Sequence, residues 1–342
     1  MIRVIHLLAG DADFQTRRCV EYIVRGLGGG FAVEARTLGA GGLYRDMIAA
    51  VRALRREDRS TIVHAWGTAA LKAAAAAARG AVFYSPLSAG PDERRLLRAV
   101  MAHREIRVVC DTATKMRQLA EGGTDPGSCA LARPGVDFSR VRPVRDRSLR
   151  EALGFADEHI VGLALGQSCC ERAMWTGGIL HELDGRFRML IWAEGRALDG
   201  AAAAVRRLGT GAFVRIVNGA DGRDFESMLA AADYALLAAA EDVAPLPVCM
   251  CMAGGLPLVA PAAPAVCELL EDRHTALLAG GNTPADLAGR VLAAMEDKEL
   301  RRRIAQCARS EAYAHFRLTA YLDTMRSLYG GSGPRGQMAF SG

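Results

Sequence analysis

The chain has 342 residues, of which 51% are hydrophobic and 24% are charged, and its formal net charge is +5. This length exceeds what a single hydrophobic core usually serves, so we expect two domains. No apolar run is long enough to span a membrane. No basic stretch is interleaved with aromatic residues, which argues against a nucleic-acid-binding protein.

The first part of the chain, residues 1–137, alternates between apolar strands and amphipathic helices. Its predicted strands are IRVIHLL, AVEARTL, TIVHAW, AVFYSP, RVVCDT and CALARPG. Helices such as TRRCVEYIVRGL, YRDMIAAVRALRRE and TAALKAAAAAARG lie between them. Alternation at this spacing predicts parallel βαβ units with helices on both faces of a sheet. The first strand is not expected to be an export signal, because Asp11 and Asp13 follow it without a cleavage-like site.

The second part of the chain repeats this alternation. Residues 138–158 are charged and lack strand character, so the linker between the domains is predicted there. The strands that follow are IVGLALG, RMLIWAEG, FVRIVNG, YALLAAA, LPLVA and TALLA. Open parallel sheets bind ligands beyond the carboxyl ends of their strands, so two facing sheets would share a binding cleft. Residues 331–342, GSGPRGQMAFSG, are predicted to be disordered.

The most informative stretch is 241–281, EDVAPLPVCMCMAGGLPLVAPAAPAVCELLEDRHTALLAGG. Pro245 and Pro247 ahead of an apolar run favour a rigid entry into a helix, and Gly254 with Gly255 favours its C-terminal cap. The run LPLVA is apolar on both faces, which is typical of a strand covered by helices. The stretch therefore predicts a turn, a helix and a strand, followed by a second turn, a helix and a short strand.

This stretch resembles the donor-binding motif of the family 4 glycosyltransferases, which have the two-domain GT-B fold. Arg133 to Asp137 resembles the segment that ends the family's N-terminal domain, and IVGLALG at 160–166 resembles the strand that opens the second domain. The final stretch resembles the family's closing helices, including Phe316 before the last one. The motif residues in register are Leu246, Pro247, Met252, Ala253, Gly255, Pro257, Val259, Ala260, Glu268, Leu269, Leu270, Leu277 and Leu278.

The resemblance implies an α/β fold of GT-B type, with two doubly wound, Rossmann-like parallel-sheet domains facing an interdomain cleft. Residues 1–140 would form the acceptor-side domain and residues 141–316 the donor-binding domain. Residues 317–330 would form a C-terminal helix that crosses back to the first domain, ahead of the tail at 331–342.

The resemblance also implies a set of site residues. Asp242 and Arg172 would be catalytic. His64, near the end of the strand TIVHAW, would lie on the acceptor side, with a structural histidine as the alternative interpretation. No metal site is expected, since no CxxC pair is present and Cys249 and Cys251 do not share a helix face. The expected donor contacts are Gly10, Asp11, Gly166, Gln167, Glu241, Leu246, Pro247 and Met250.

The chain departs from the family pattern at reactive positions. The family's phosphate-binding arginine is replaced by Gln167, and only Arg172 is available near the position of its lysine. Arginine can hold a diphosphate through two hydrogen bonds, whereas glutamine supplies at most a neutral one. The family's second motif carboxylate is replaced by Met250, which cannot accept hydrogen bonds from a ribose.

Two functions follow from this pattern. The first is a glycosyltransferase that moves a sugar from a nucleotide-sugar donor to an unidentified acceptor, which the family would make retaining, metal-independent and free of cofactors. The alternative is a catalytically silent GT-B protein that binds a glycan or nucleotide, or scaffolds a partner enzyme. The fold alone does not decide between them.

We expect a cytoplasmic protein, with peripheral contact to the inner membrane face as a further possibility. Nine irregularly spaced cysteines favour free thiols in a reducing cytoplasm. The arginine cluster Arg301, Arg302 and Arg303 is interpreted as the solvated face of a helix, with contact to an anionic membrane as the alternative. The family implies a glycan or lipid-linked acceptor, cell-envelope glycan biosynthesis and peripheral contact with the inner membrane face.

Overall fold

The structure is a computed structural model that describes residues 1–10, 12–39, 43–141, 145–165, 170–194, 196–219, 224–241 and 243–331. The chain divides into two compact units. Unit 1 comprises Met1–Gly135 together with the chain from Leu318, and unit 2 comprises Val136–Arg317. Most of the predicted disordered tail, from residue 332 onward, lies outside the described residues.

Unit 1 contains a six-stranded parallel sheet with the strand order β2-β1-β3-β4-β5-β6. Its strands are β1 (Ile2–Leu8), β2 (Phe31–Thr37), β3 (Ile62–Trp66), β4 (Val82–Ser85), β5 (Arg107–Cys110) and β6 (Cys129–Leu131). Its helices are α1 (Phe14–Gly26), α2 (Leu43–Leu54), α3 (Thr68–Ala77), α4 (Pro91–Met101), α5 (Ala113–Glu121) and, at the end of the chain, α14 (Leu318–Tyr329).

Local sequence explains where several of these helices begin. Asp13 accepts from the backbone N–H of Thr16 at the start of α1, and Thr112 accepts from that of Lys115 at the start of α5. Pro91 is the first residue of α4, a position that lacks an N–H partner in any helix. These caps satisfy donors that would otherwise be unpaired at the helix ends.

Helix α14 belongs to unit 1, although more than 180 residues of unit 2 separate it from the rest of that unit. It packs on α1 so closely that a Cβ at Gly26 would overlap the side chain of Leu322. Its inward face is buried, including Tyr321, Met325 and Tyr329. This burial is what anchors the end of the chain to the first sheet.

Unit 2 contains a second six-stranded parallel sheet, with the order β12-β11-β10-β7-β8-β9. Its strands are β7 (Ile160–Leu165), β8 (Phe187–Ala193), β9 (Val214–Asn218), β10 (Tyr234–Leu237), β11 (Leu258–Pro261) and β12 (Leu277–Ala279). Its helices are α6 (Arg147–Ala152), α7 (Cys170–Leu183), α8 (Arg196–Leu208), α9 (Phe225–Leu229), α10 (Pro245–Gly254), α11 (Pro264–Cys267), α12 (Pro284–Glu296) and α13 (Lys298–His315).

The two sheets confirm the predicted α/β fold class, and the twelve strands lie where alternation predicted them. At the centre of the second sheet, a Cβ at Gly162 would overlap the ring of the buried Tyr234 on the neighbouring strand. Glycine is therefore required there by close packing rather than by backbone conformation. Among the described helices, none combines the length and apolar character needed to cross a membrane.

The segment predicted as a linker, 138–158, differs from expectation because its described part packs within unit 2. It contains the short helix α6, and Arg140 pairs with Asp224 at 2.9 Å. The side chain of Arg150 is only 1% exposed, and it donates to the carbonyl of Ala231 at 2.8 Å and to Asp233 at 3.0 Å. The charged side chains Arg140 and Arg150 thus form ion pairs within unit 2. Composition alone could not distinguish such paired residues from solvated ones.

Candidate functional site

The side chain of Arg172 is held by hydrogen bonds at the carboxyl edge of the second sheet. Arg172 lies in the first turn of α7, which follows β7. Its Nη1 donates to the carbonyl oxygen of Ala238, just after β10, at 2.6 Å, and to Oδ1 of Asn282, after β12, at 2.9 Å. Arg172 therefore links the start of α7 to the segments that follow β10 and β12, at the edge where open parallel sheets bind ligands.

The guanidinium of Arg172 keeps donors for a ligand. Both of its hydrogen bonds use Nη1, and within the described residues neither Nε nor Nη2 has a partner. A guanidinium presents five N–H donors in a planar fork, which matches two oxygens of a phosphate. The two protein contacts thus fix the side chain while leaving part of the fork available. Asn282 was not among the predicted residues, since only the fold brings it to Arg172.

Helix α10 carries the motif that dominated the sequence, and it is apolar on every face. Nine of its ten residues are buried, and it ends at Gly255, whose φ of 68° suits glycine. No side chain caps its N-terminus. Pro245 and Pro247 have no N–H, so two of the first three helical residues cannot donate to a ligand. The positive end of the helix dipole remains, but few backbone donors accompany it.

Two of the predicted donor contacts are enclosed by protein. Leu246 and Met250 have no exposed surface, whereas Pro247 is half-buried and Glu241 is exposed in the loop before α10. A side chain without exposed surface cannot touch a ligand unless its neighbours move. Leu246 and Met250 therefore serve the core of unit 2, and the expectation that they contact the donor directly is not supported by their burial.

Several predicted site residues fall on parts of the chain that are not described. Asp11, Gly166, Gln167 and Asp242 all lie outside the described residues, so their roles stay predictions. Gly10 is described and is exposed in the turn directly after β1. That position is at the carboxyl edge of the first sheet, as the strand pattern requires.

His64, predicted on the acceptor side, is instead enclosed in the interior of unit 1. It has no exposed surface, and both ring nitrogens are engaged: Nδ1 lies 2.5 Å from the hydroxyl of Tyr329 and Nε2 lies 2.9 Å from Oγ of Ser85. The ring also stacks on Trp66 at a centroid distance of 4.6 Å. We therefore correct this prediction, because a histidine without exposed surface or a spare nitrogen has a structural role.

A second buried histidine completes this cluster. His6 accepts a hydrogen bond at Nδ1 from the indole N–H of Trp66 at 2.9 Å, and its ring lies 5.2 Å from that of His64. Burial lowers the pKa of His6 to about 3. Burial, together with the neighbouring His6, lowers the pKa of His64 well below its ordinary value. Both rings are therefore neutral at neutral pH and act as hydrogen-bonding core residues.

A charged network that the sequence did not reveal lies at the carboxyl edge of the first sheet. Oδ2 of Asp111, directly after β5, accepts from Lys115 at 3.0 Å and from Gln15 of α1 at 2.7 Å. The ammonium of Lys115 also donates to the carbonyl oxygens of Pro86 and Leu87, after β4, at 3.3 Å and 3.2 Å. Burial alone would lower the pKa of Lys115, but the Asp111 carboxylate raises it above its ordinary value.

The loop after β4 is held from its other side by Glu93 of α4. Glu93 is buried and accepts from the backbone N–H of Leu87 at 3.2 Å, from that of Ser88 at 2.9 Å, and from the hydroxyl of Tyr84. The loop is thus fixed through its carbonyls by Lys115 and through its N–H groups by Glu93. An aspartate at a strand end followed four residues later by lysine was the available signal, but many surface pairs share it.

Among the described residues, no group of three or more histidine, cysteine, aspartate or glutamate side chains is arranged to hold a metal ion.

Residues 181–311 match the family model of the glycosyl transferases group 1. The match covers most of unit 2, including α10 and the strands on either side of it. Together with the fold it supports a glycosyltransferase, as predicted, over a catalytically silent protein. No curated protein is similar enough in sequence to count as a match.

Solved structures of similar fold include the following three proteins. Anabaena HepE in complex with UDP-glucose has a TM-score of 0.79 and 17% identity, covering 97% of this chain and 100% of that chain. Sucrose-phosphate synthase from Thermosynechococcus elongatus has a TM-score of 0.77 and 14% identity, covering 96% and 98%. WaaG, a glycosyltransferase involved in lipopolysaccharide biosynthesis, has a TM-score of 0.72 and 14% identity, covering 96% and 100%. At these identities the likeness establishes the fold alone.

Proposed function

We propose that this chain is a glycosyltransferase of family 4 type that transfers a sugar from a nucleotide-sugar donor to a glycan or lipid-linked acceptor. The observation that carries the proposal is the family match over residues 181–311, which includes the whole α10 motif. The chemistry would be retaining and independent of a metal ion or cofactor, as the resemblance implies.

Arg172 is the residue proposed to bind the donor's diphosphate. As the sugar departs, negative charge grows on the diphosphate, and a fixed cation at that position stabilises the transition state more than the ground state. The bonds from Arg172 to the Ala238 carbonyl and to Asn282 hold the guanidinium in place before the donor arrives. Because the first turn of α10 lacks two N–H donors, Arg172 would carry a larger share of this charge than an arginine beside an ordinary helix end.

A uridine nucleotide is the donor we propose first. The structures of Anabaena HepE contain UDP and UDP-glucose, which makes them the natural first ligands for this fold. The ribose would not be held by a carboxylate from α10, because the residue in that position is the buried Met250. Glu241, which is exposed beside the start of the motif, and Asp242 are the nearby carboxylates proposed to meet donor hydroxyls.

For the acceptor we propose an envelope glycan or its lipid-linked precursor, made in the cytoplasm or at the inner membrane face. WaaG, which has the same fold, is involved in lipopolysaccharide biosynthesis. The exposed arginines of α13 are compatible with an anionic acceptor or surface.

The experiment is a donor screen with two readouts on the purified protein. Nucleoside diphosphates and nucleotide sugars are tested for a rise in melting temperature, because a ligand that binds only the folded state stabilises it. Each nucleotide sugar that binds is then incubated with bacterial envelope glycans, and release of free nucleoside diphosphate is measured. Binding of UDP with acceptor-dependent release supports the proposal. If no nucleotide stabilises the protein, the proposal is wrong. If a nucleotide sugar binds but no acceptor leads to release of nucleoside diphosphate, the catalytically silent alternative is favoured instead.

A further inference from the structure

A cavity of about 420 Å³ opens at the amino edge of the second sheet, away from the carboxyl edge where Arg172 lies. Its lining includes Asp233, which directly precedes β10, and the turn Gly254–Pro257, which directly precedes β11. Parallel strands place all of their amino ends at one edge, so this cavity is separate from the proposed donor site. We call it the basic pocket, since Arg145, Lys298, Arg301 and Arg302 complete its charged lining.

Asp233 is the acidic residue among the described lining residues, and protein groups already neutralise it. Oδ2 of Asp233 accepts from the buried Arg150 at 3.0 Å and from the backbone N–H of Val161 at 2.8 Å. Its Oδ1 lies 3.5 Å from Arg145. The carboxylate therefore offers little negative charge to the other cations of the pocket.

Two of those cations have no acidic partner in the part of the chain that is described. Lys298 is exposed and makes no side-chain hydrogen bond or ion pair there, and Arg301 donates only to the carbonyl and sulfur of Met295. Arg302 pairs with Glu299 at 2.8 Å, but both side chains are about 70% exposed, so that pair is weak. Lys298 and Arg301 thus leave two positive charges of the pocket that no described acidic side chain pairs with, a pattern that concentrates anions.

The size and the remaining lining indicate what kind of anion fits. Phosphate oxygens match arginine and lysine donors well. The volume falls within the range of small-molecule sites, and Leu229, Leu256 and Ala305 add apolar surface to the lining. The N-terminus of α13 offers no free site for the anion, because the side chain of Asp297 already caps it.

We propose that the basic pocket binds a phosphate group carried by a larger, partly apolar molecule. A phospholipid headgroup and a free phosphorylated metabolite share this chemistry. In either case the pocket is a second ligand site of unit 2, on the edge opposite to the proposed donor site.

The test compares two variants that remove the same charge from exposed positions. The pocket variant is Lys298→Gln/Arg302→Gln, and the control is Lys72→Gln/Arg303→Gln, whose residues are exposed and do not line the pocket. Arg301 is left unchanged because its side chain hydrogen-bonds to Met295. Inorganic phosphate is titrated into each protein by calorimetry at low ionic strength, and melting temperatures verify folding. We expect at least fivefold weaker phosphate binding in the pocket variant and less than a twofold change in the control.

A second arm separates the two sources of phosphate. Each protein is sedimented with vesicles of phosphatidylglycerol and phosphatidylcholine, and with vesicles of phosphatidylcholine alone. Retention of wild type and control, but not of the pocket variant, on the anionic vesicles would support the proposal with a lipid headgroup as the ligand. Phosphate binding that depends on the pocket without vesicle retention would support it with a soluble ligand. Equal phosphate affinity in all three proteins, equal loss in both variants, or no binding by wild type would overturn it.

Discussion

The loops at the carboxyl edge of the first sheet and helix α10 at that of the second are held by opposite means. In unit 1, Asp111, Lys115 and Glu93 fix the loop after β4 through buried, charge-assisted hydrogen bonds. In unit 2, nine of the ten residues of α10 are buried and none is charged. Both arrangements put chain segments at the edge where parallel sheets bind ligands.

This difference shows where chemistry is available in each unit. A helix held by apolar packing on all sides can orient its dipole, but it offers no reactive side chain, so a charged contact must come from the neighbouring loops. In unit 2 the contact that we propose is Arg172, in the first turn of the neighbouring helix α7. In unit 1 the polar groups of this network hydrogen-bond to one another and to the loop after β4, so they position the loop rather than bind a ligand. Substitutions should therefore affect stability in unit 1 and α10, and ligand binding at Arg172.

The largest effect is expected from Met250→Glu. Family resemblance alone would favour this change as restoring a donor carboxylate, but Met250 has no exposed surface. An unpaired carboxylate in that place should destabilise the protein by about 3–5 kcal/mol, measured by urea unfolding. Met250→Leu, which conserves volume, should change stability by less than about 1.5 kcal/mol. Undiminished stability together with tighter UDP binding by Met250→Glu would show that α10 opens toward the donor.

Lys115→Met should destabilise unit 1 by about 3 kcal/mol, because it leaves the Asp111 carboxylate without its cation and frees two loop carbonyls. Lys72→Met, at an exposed position of α3, should change the free energy of unfolding by no more than about 0.5 kcal/mol. Adding Asp111→Asn to Lys115→Met should recover part of the loss. If the single and double variants are equally stable, the ion pair does not hold this loop.

Much of the fold was predictable because it depends on local pattern. Short apolar runs alternating with amphipathic helices located all twelve strands, and Pro245 and Gly255 marked the ends of α10. The segment 138–158 was less predictable. Its charges suggested a solvated linker, whereas Arg150 is buried against Ala231 and Asp233, more than 80 residues away in sequence.

The candidate site was predictable only where a motif fixed the position. Arg172 was predicted as a phosphate ligand from its spacing after β7, and that role stays a prediction. Its contact with Asn282, 110 residues away, could not be predicted. For His64, a position near a strand end could not decide between an acceptor-side and a structural role, because Tyr329, which covers it, is 265 residues away. Long-range packing of this kind leaves no local pattern in one sequence.

Arg172→Ala should weaken UDP binding by roughly tenfold to a hundredfold, which corresponds to losing a charged hydrogen-bond partner worth about 1.5–3 kcal/mol. The UDP affinity of Arg172→Lys should lie between those of wild type and Arg172→Ala, since lysine keeps the charge but not the planar fork. Arg206→Ala, an exposed arginine of α8, is the matched control and should leave affinity unchanged. Equal affinity of Arg172→Ala and wild type, measured by calorimetry, would remove Arg172 from the donor site.

The smallest effect expected is on the pH dependence of stability, and it distinguishes the polar interior of unit 1 from apolar packing. His6 and His64 have depressed pKa values in the folded protein, whereas unfolded histidine has a pKa near 6.5. Below about pH 6.5 the unfolded chain therefore binds more protons than the folded one. The stability contributed by the neutral rings is complete above that pH and is lost as the pH falls toward their folded values, by about 1.4 kcal/mol per pH unit for each ring.

His64→Gln should lower stability at pH 7, because it breaks contacts with Tyr329 and Ser85, yet it should make the decline between pH 6 and pH 5 shallower by about 1.4 kcal/mol per pH unit. Phe83→Leu is the matched control, since Phe83 packs on His64 and Tyr329 but has no titratable group. It should lower stability at every pH without changing the slope. Urea unfolding at several pH values measures both quantities, and the same slope in His64→Gln as in wild type would mean that His64 is not held neutral by the fold.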